Sequence, residues 1–297
     1  MAVSVAFFPE SPQKSLTSQP FMKRLVHISF LVLILVSVVS CNRNSITRIM
    51  KSKDVEYKYR KGEQFYATKK YTKAQIVFED LFPMMRNDAR FEDLYYKYAY
   101  CAYHLEDYLN AENLFKGFLD VFPKSTKAPE VDYMRAYSFY MQSAPVELDQ
   151  TATQKTIGLL QAHINNYPES PKLSAASEII ERCYEKIELK ESLAADLYFK
   201  IGSFRAAAIA FTQLLNHYPQ SVSADRYKYM IIRAYYQYAF MSVSIKQQER
   251  YEKVIEEYYD FVDRFPESKL TKDAEKYFQL SKTNLKNIKD EQTDKKS

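Results

Sequence analysis

Three cysteines and four histidines are the candidates in this chain for covalent, metal or acid–base chemistry. Cys41 alone sits where a reaction is dictated by its surroundings. It follows a basic step, Met22-Lys23-Arg24, a 15-residue apolar stretch from Leu25 to Val39, and Ser40. A basic start, an apolar core of that length and a small residue before the cut describe an export signal rather than a membrane span. A thiol at the cut can take a lipid on its sulfur before cleavage, so Cys41 is the expected lipid attachment and first mature residue. Cys101 and Cys183 have no metal-site spacing and fall among apolar neighbours in different predicted helices. They read as two buried free thiols, with a disulfide the alternative in an oxidising compartment. His27 lies in the signal, while His104, His163 and His217 fall near predicted helix ends, where a cationic or capping role is ordinary. There is no nucleophile elbow, Gly-rich phosphate loop or paired acidic motif. No catalytic residue, metal or cofactor is therefore expected, and the chain does not read as an enzyme.

What the chain does contain is a repeat. Five aromatic–proline steps recur at 40 to 51 residues: Phe82-Pro83, Phe122-Pro123, Tyr167-Pro168, Tyr218-Pro219 and Phe265-Pro266. The last four continue to a serine two residues after the proline. Each is expected to end an amphipathic helix, because proline cannot continue one and disfavours helix at the residue before it. Counting back from Pro219 gives an aromatic at −15 (Phe204), a small residue at −12 (Ala207) and an aromatic at −8 (Phe211). Pro123 gives Tyr108, Ala111 and Phe115, and Pro266 gives Tyr251, Val254 and Tyr258. Pro168 gives a degraded copy, Thr153, Thr156 and Leu160, and the copy before Pro83 (Tyr71, Ala74, Phe78) is three residues shorter. The small residue lets the second helix of a hairpin approach the first, and the aromatics fill the groove between hairpins.

This layout resembles the second helix of the tetratricopeptide repeat, without that repeat's tryptophan and glycine. The expected fold is all-α: a superhelical solenoid of about five tetratricopeptide-like hairpins plus a C-terminal capping helix. Only four Gly occur in the chain, while 26 Tyr and 19 Phe supply rings to bridge helices. The net charge of +5 falls to about +3 once Lys14, Lys23, Arg24 and Glu10 leave with residues 1–40. That is too mild and too interspersed for nucleic acid.

The organisation follows. Residues 1–21, with Glu10 and three prolines, are read as an upstream extension, with translation starting at Met22. Residues 22–40 are the signal, 41–52 a polar lipidated tether, 53–288 the repeat array and 289–297 a disordered charged tail. A loop from Ser143 to Thr151 interrupts the third hairpin. Residues from Pro171 to about Glu188 form an extra helix or half of a kinked one, ahead of a helix from Ser192 to Ile201.

Val38-Val39-Ser40-Cys41 resembles the lipobox of bacterial lipoproteins, with Val38 where leucine is commoner. Asn42 follows, not the aspartate linked to inner-membrane retention, so the expected site is the periplasmic face of the outer membrane. Three acyl chains suffice for stable anchoring where one is marginal. The loop Ser143-Ala-Pro-Val-Glu-Leu-Asp149-Gln150-Thr151, the helix before it from Tyr133 and the repeat after it resemble the BamD family. These are the lipoproteins of the outer-membrane β-barrel assembly machinery. The resemblance runs from about Cys41 to Ser281. It implies an anchored binding protein that meets a BamA-like barrel insertase and recognises the targeting strands of unfolded outer-membrane β-barrel proteins.

In tetratricopeptide hairpins the first helix lines the concave side. Mapping from Pro83 and Pro123 places Glu56, Tyr59 and Glu63, then Asp93, Tyr96 and Tyr100, on a partner-binding groove. The competing reading is that these tyrosines pack between helices. The alternative function is a periplasmic tetratricopeptide lipoprotein scaffolding other cell-envelope enzymes. A capture lipoprotein would need a large binding insert, which the sequence lacks.

Overall fold

The computed structural model describes residues 46–294, so the signal, Cys41 and the start of the tether lie outside the described residues. The described residues form twelve helices. In order these are α1 (Ile46–Met50), α2 (Val55–Ala67), α3 (Tyr71–Met85), α4 (Phe91–His104), α5 (Tyr108–Val121), α6 (Ala128–Met141), α7 (Thr151–Asn166), α8 (Leu173–Lys200), α9 (Phe204–His217), α10 (Ala224–Phe240), α11 (Ser244–Arg264) and α12 (Thr271–Asp294). The chain divides after Leu105 into two compact units, where the sequence reading took one continuous array. In the first, α2 and α3 pair, α4 packs on α3, and α1 rests on both α2 and α3. In the second, each helix from α5 to α12 packs on the next. Within each unit, then, the helices stack in sequence as tetratricopeptide-like hairpins.

The repeat residues do what their types require. Ala74, Ala111, Ala207 and Val254 are fully buried, as are Phe78, Phe115 and Phe211. Burying a phenylalanine this way contributes about 1.5–3 kcal/mol. The degraded third copy is buried as well. Its hydroxyls are satisfied: Thr156 Oγ1 donates to the Ala152 carbonyl at 2.9 Å, and Thr153 Oγ1 to Gln150 Oε1 at 2.6 Å.

Four aromatic–proline steps close their helices alike. Phe122, Tyr167, Tyr218 and Phe265 leave the helical region with φ between −131° and −123° and ψ between 57° and 66°. The serine two residues past each proline then accepts a backbone N–H two residues on, at 3.0 to 3.2 Å, so its side chain sets up the next helix. The first step departs from this. Pro83 lies inside α3, which runs on to Met85. Phe-Pro-Met-Met has no serine to form the turn, and Met85 is buried, so packing carries the helix past its proline.

Two further expectations are corrected. Residues 173–200 form one helix, not two pieces. The stretch around Ile187-Glu-Leu-Lys-Glu has no Gly or Pro to break it, and α8 serves two neighbours. Ile179, Ile180 and Cys183 pack with Tyr133 and Leu160, while Ala195 packs with Phe211 and Tyr227. At the chain ends, Ile46–Met50 is helical with Ile49 buried, inside the stretch read as tether. α12 continues to Asp294, inside the stretch read as tail. Its charges are helix formers extending an amphipathic helix already begun at Thr271.

The third-hairpin loop is tied by one buried side chain. Gln150 Nε2 lies 2.8 Å from the Pro145 carbonyl and 3.2 Å from that of Leu148, and donates to both. Lys186 Nζ reaches Ser143 Oγ at 2.6 Å, and Lys190 Nζ the Leu148 carbonyl. His163 lies in the last turn of α7 and is fully buried. Its Nδ1 donates to Asp132 Oδ2 at 3.0 Å, and its Nε2 lies 3.1 Å from Ser170 Oγ. Both cysteines of the helices are buried free thiols. Burial raises Cys101, helped by Glu63, to about 12, and Cys183 to about 11, so neither is a ready nucleophile.

Candidate partner-binding face

Glu56, Tyr59 and Glu63 recur every three or four residues along α2, and Asp93, Tyr96 and Tyr100 along α4, so each trio shares one helix face. α2 is started by Asp54, whose carboxylate accepts the Tyr57 N–H at 3.0 Å. α4 is entered through Asp88, whose Oδ1 accepts Arg90 N and Nε at 2.8 and 3.0 Å.

Two cations join the trios. Arg90 Nη1 donates to Glu56 Oε2 at 2.7 Å, and its guanidinium lies over the Tyr59 ring at 4.6 Å. Lys97 Nζ lies 2.5 Å from Glu63 Oε2 and 2.6 Å from Asp93 Oδ2. Both interhelical pairs span 34 residues, so equivalent positions of successive first helices face each other. Glu63 Oε1 is buried without a hydrogen-bond partner among the described residues.

The electrostatics follow from these contacts. Hydrogen bonds from Arg90 hold Asp88 down to about 2. Burial works against the Lys97 ammonium, but hydrogen bonds to Asp93 and Glu63 outweigh it and raise its pKa. Burial, then the charge of Glu63, raises Tyr59. Tyr59 thus keeps its hydroxyl proton.

Tyr96 and Tyr100 are half-buried, with ring centroids 4.7 Å apart. From Tyr100 an aromatic run continues to His104 at 6.0 Å and on to Tyr71, stacked on His104 at 4.3 Å. So the structure gathers Glu56 and the Tyr59 ring on Arg90, joins Glu63 and Asp93 through Lys97, and sets Tyr96 and Tyr100 together in an aromatic ladder on α4. Sequence reasoning missed Arg90 and Lys97. Their signal was the 34-residue offset from Glu56 and Glu63. Among the described residues, no group of three or more His, Cys, Asp or Glu is placed to hold a metal ion. No described helix is long and apolar enough to cross a membrane.

Residues 51–253 match the family described as YfiO, outer membrane lipoprotein. A putative outer membrane protein assembly factor BamD of Aquifex aeolicus is 26% identical over 175 residues, covering 59% of this chain and 56% of that protein. The chain thus spans little more than half the length of that relative. The outer membrane protein assembly factor BamD of Rickettsia prowazekii is 22% identical over 177 residues, covering 60% of this chain and 70% of that protein. Among solved structures, the TPR2AB domain of yeast Sti1 in its pHSP90 complex aligns at a TM-score of 0.36 and 11% identity, covering 77% of this chain and 98% of that one.

Proposed function

Because the chain belongs to the YfiO family of outer membrane lipoproteins, we propose that it serves the assembly of outer-membrane β-barrel proteins by binding, without catalysis. In this reading a lipid on Cys41 holds it at the periplasmic face of the outer membrane. The helical repeats engage a BamA-like barrel insertase and the targeting strands of unfolded barrel proteins. The observation that carries the reading is the family match across residues 51–253, which includes the third-hairpin loop and most of the repeats. The face built on α2 and α4 supports it. A preformed surface leaves most of the ordering cost to the disordered ligand.

The test is a gentle detergent pull-down of the lipoprotein from its own outer membrane, with mass spectrometry of what accompanies it. A large barrel protein with repeated periplasmic domains, at near-equal amount, is the expected outcome. Peptidoglycan enzymes in its place would overturn the reading in favour of a scaffold for other envelope enzymes.

A further inference from the structure

The second unit carries its charges unevenly. Between Asp196 and Glu249 the sequence holds one acid, Asp225, against six cations. Asp225 stands in the first turn of α10, where its carboxylate accepts the Ser268 hydroxyl at 2.6 Å. Phe240 ends that helix about 22 Å away. Short turns join α8 to α9 and α10 to α11, so these neighbours run antiparallel and both turns share one edge of the unit. Arg205, just past the first turn, lines a cavity of about 580 Å³ with Tyr238 of α10 and with Lys246 and Arg250 of α11. Glu249, Glu252 and Glu256 line it too, so the cavity is mixed in charge and selects nothing by itself. It does make the two turns neighbours.

The second turn is apolar and exposed. Phe240, Met241, Val243 and Ile245 are 61, 72, 67 and 87% exposed, and Ile201 in the first turn is 63% exposed. The turn is nonetheless built. The Arg250 guanidinium carbon lies 3.8 Å from the centre of the Tyr238 ring, and the group donates to Ser242 Oγ. Gln247 Nε2 donates to the Phe240 carbonyl at 3.3 Å. The backbone is thus held in place while a cluster of apolar side chains stands in water, an arrangement that marks a contact surface. Lys200 and Arg205 flank the first turn and Lys246 the second, all exposed. The nearest acid in sequence, Glu249, pairs with Lys246 at 3.1 Å on the surface, where such a pair is weak.

We propose that this edge rests on an anionic phospholipid surface, with Phe240, Met241, Val243 and Ile245 entering the boundary between headgroups and acyl chains. Apolar side chains on a protruding turn suit a fluid interface that closes around them, whereas a folded partner would need a matching pocket. Ser242, Ser244, Gln247 and Gln248 between and beside them are neutral, so bringing the turn to the interface strips no charge of its water. Lys200, Arg205 and Lys246 then meet lipid phosphates, the combination of apolar area and cations that holds a peripheral segment at an anionic membrane. With a lipid on Cys41 already retaining the chain, the turn adds orientation rather than retention. The inference rests on the membrane setting of the reading above, not on its partners, so the pull-down and the experiment below can fail separately.

The chain has no Trp, so a single introduced one reports its own surroundings. Ile245→Trp and Val222→Trp are compared in the lipidated full chain, reconstituted into vesicles of phosphatidylethanolamine and phosphatidylglycerol. Val222 is fully exposed in the proline turn between α9 and α10, at the opposite edge. Lipids brominated just below the headgroups should remove at least half the emission from residue 245 and little from residue 222. Replacing phosphatidylglycerol with phosphatidylcholine should cut the quenching at 245 at least twofold, and so should adding Lys200→Gln and Lys246→Gln together. Equal quenching at the two positions overturns the proposal, as does quenching at 245 that neither change reduces. A benzoylphenylalanine substituted for Ile245 then identifies what the turn meets in whole outer membranes. Phospholipid adducts are expected, and adducts confined to protein overturn the assignment.

Discussion

Gly62 lies against Phe78 so closely that a Cβ at residue 62 would stand 2.6 Å from ring atom Cε1 and 3.3 Å from Val77 Cγ1. The ring is fully buried, so either it or the helix must shift. Gly62→Ala gains about 1 kcal/mol of helix propensity, but overpacking costs about 1–3 kcal/mol. The expected outcome is a net loss, read as a lower midpoint in urea with unchanged slope.

Lys228 is buried and shared by Glu257 and Asp260. Burial pushes Asp260 up, but its hydrogen bonds to Lys228 and Arg264 more than reverse this, leaving its pKa below the usual carboxylate value. A carboxylate depressed on folding contributes stability above its unfolded pKa of about 3.9 and loses it as pH falls through the folded value. Lys228→Met should cost about 1 kcal/mol at neutral pH, because Glu257 and the half-exposed Asp260 lose one cation but keep Lys253 and Arg264. The deficit should shrink below pH ~4, as denaturation at both pH values would reveal.

Arg90 sets the titration of Asp88. In the unaltered chain the Asp88 carboxyl should titrate near pH 2, followed by carbonyl NMR shifts. In Arg90→Ala it should rise toward roughly 3.9 but stop short, because the backbone N–H of residue 90 still donates to Oδ1. A value near 2 in both proteins would remove Arg90 as the cause.

Gln150 bonds carbonyls from Ala144, Pro145 and Leu148, and accepts from Thr153. Gln150→Ala removes the bonds that tie the loop and leaves Thr153 with Ser143 as its partner, at about 1 kcal/mol. Limited proteolysis should then cut within Pro145–Leu148, which the unaltered chain should resist.

Tyr96→Ala combined with Tyr100→Ala should weaken binding of a barrel protein's targeting peptide while helicity by circular dichroism stays unchanged. Unaltered affinity would remove these tyrosines from the binding face. Loss of helicity would mean that they pack between helices.

Legibility in the sequence followed locality. Ala111, Phe115, Phe122-Pro123 and Ser125 lie close together in sequence, so their spacing announced the second helix and its turn. Pro83 misled because the deciding residue, buried Met85, lies after the apparent stop and acts through packing. The unbroken α8 was hidden for a similar reason. Its halves serve different neighbours, which looks like two patterns in one dimension. Glu56, Glu63 and Asp93 could be mapped from the repeat, but Arg90 and Lys97 could not be recognised as their partners without the 34-residue register.

The four serine turns separate punctuation from text. Each closes one helix and opens the next using its own aromatic, proline and serine together with nearby backbone groups. The outward faces of the flanking helices are therefore free to drift in meaning while the boundaries stay fixed. Arg233 beside the Phe199 and Tyr229 rings, and Lys97 beside Glu63 and Asp93, are then alternative wordings of one sentence. A lineage can rewrite what a repeat recognises without disturbing where that repeat starts and stops.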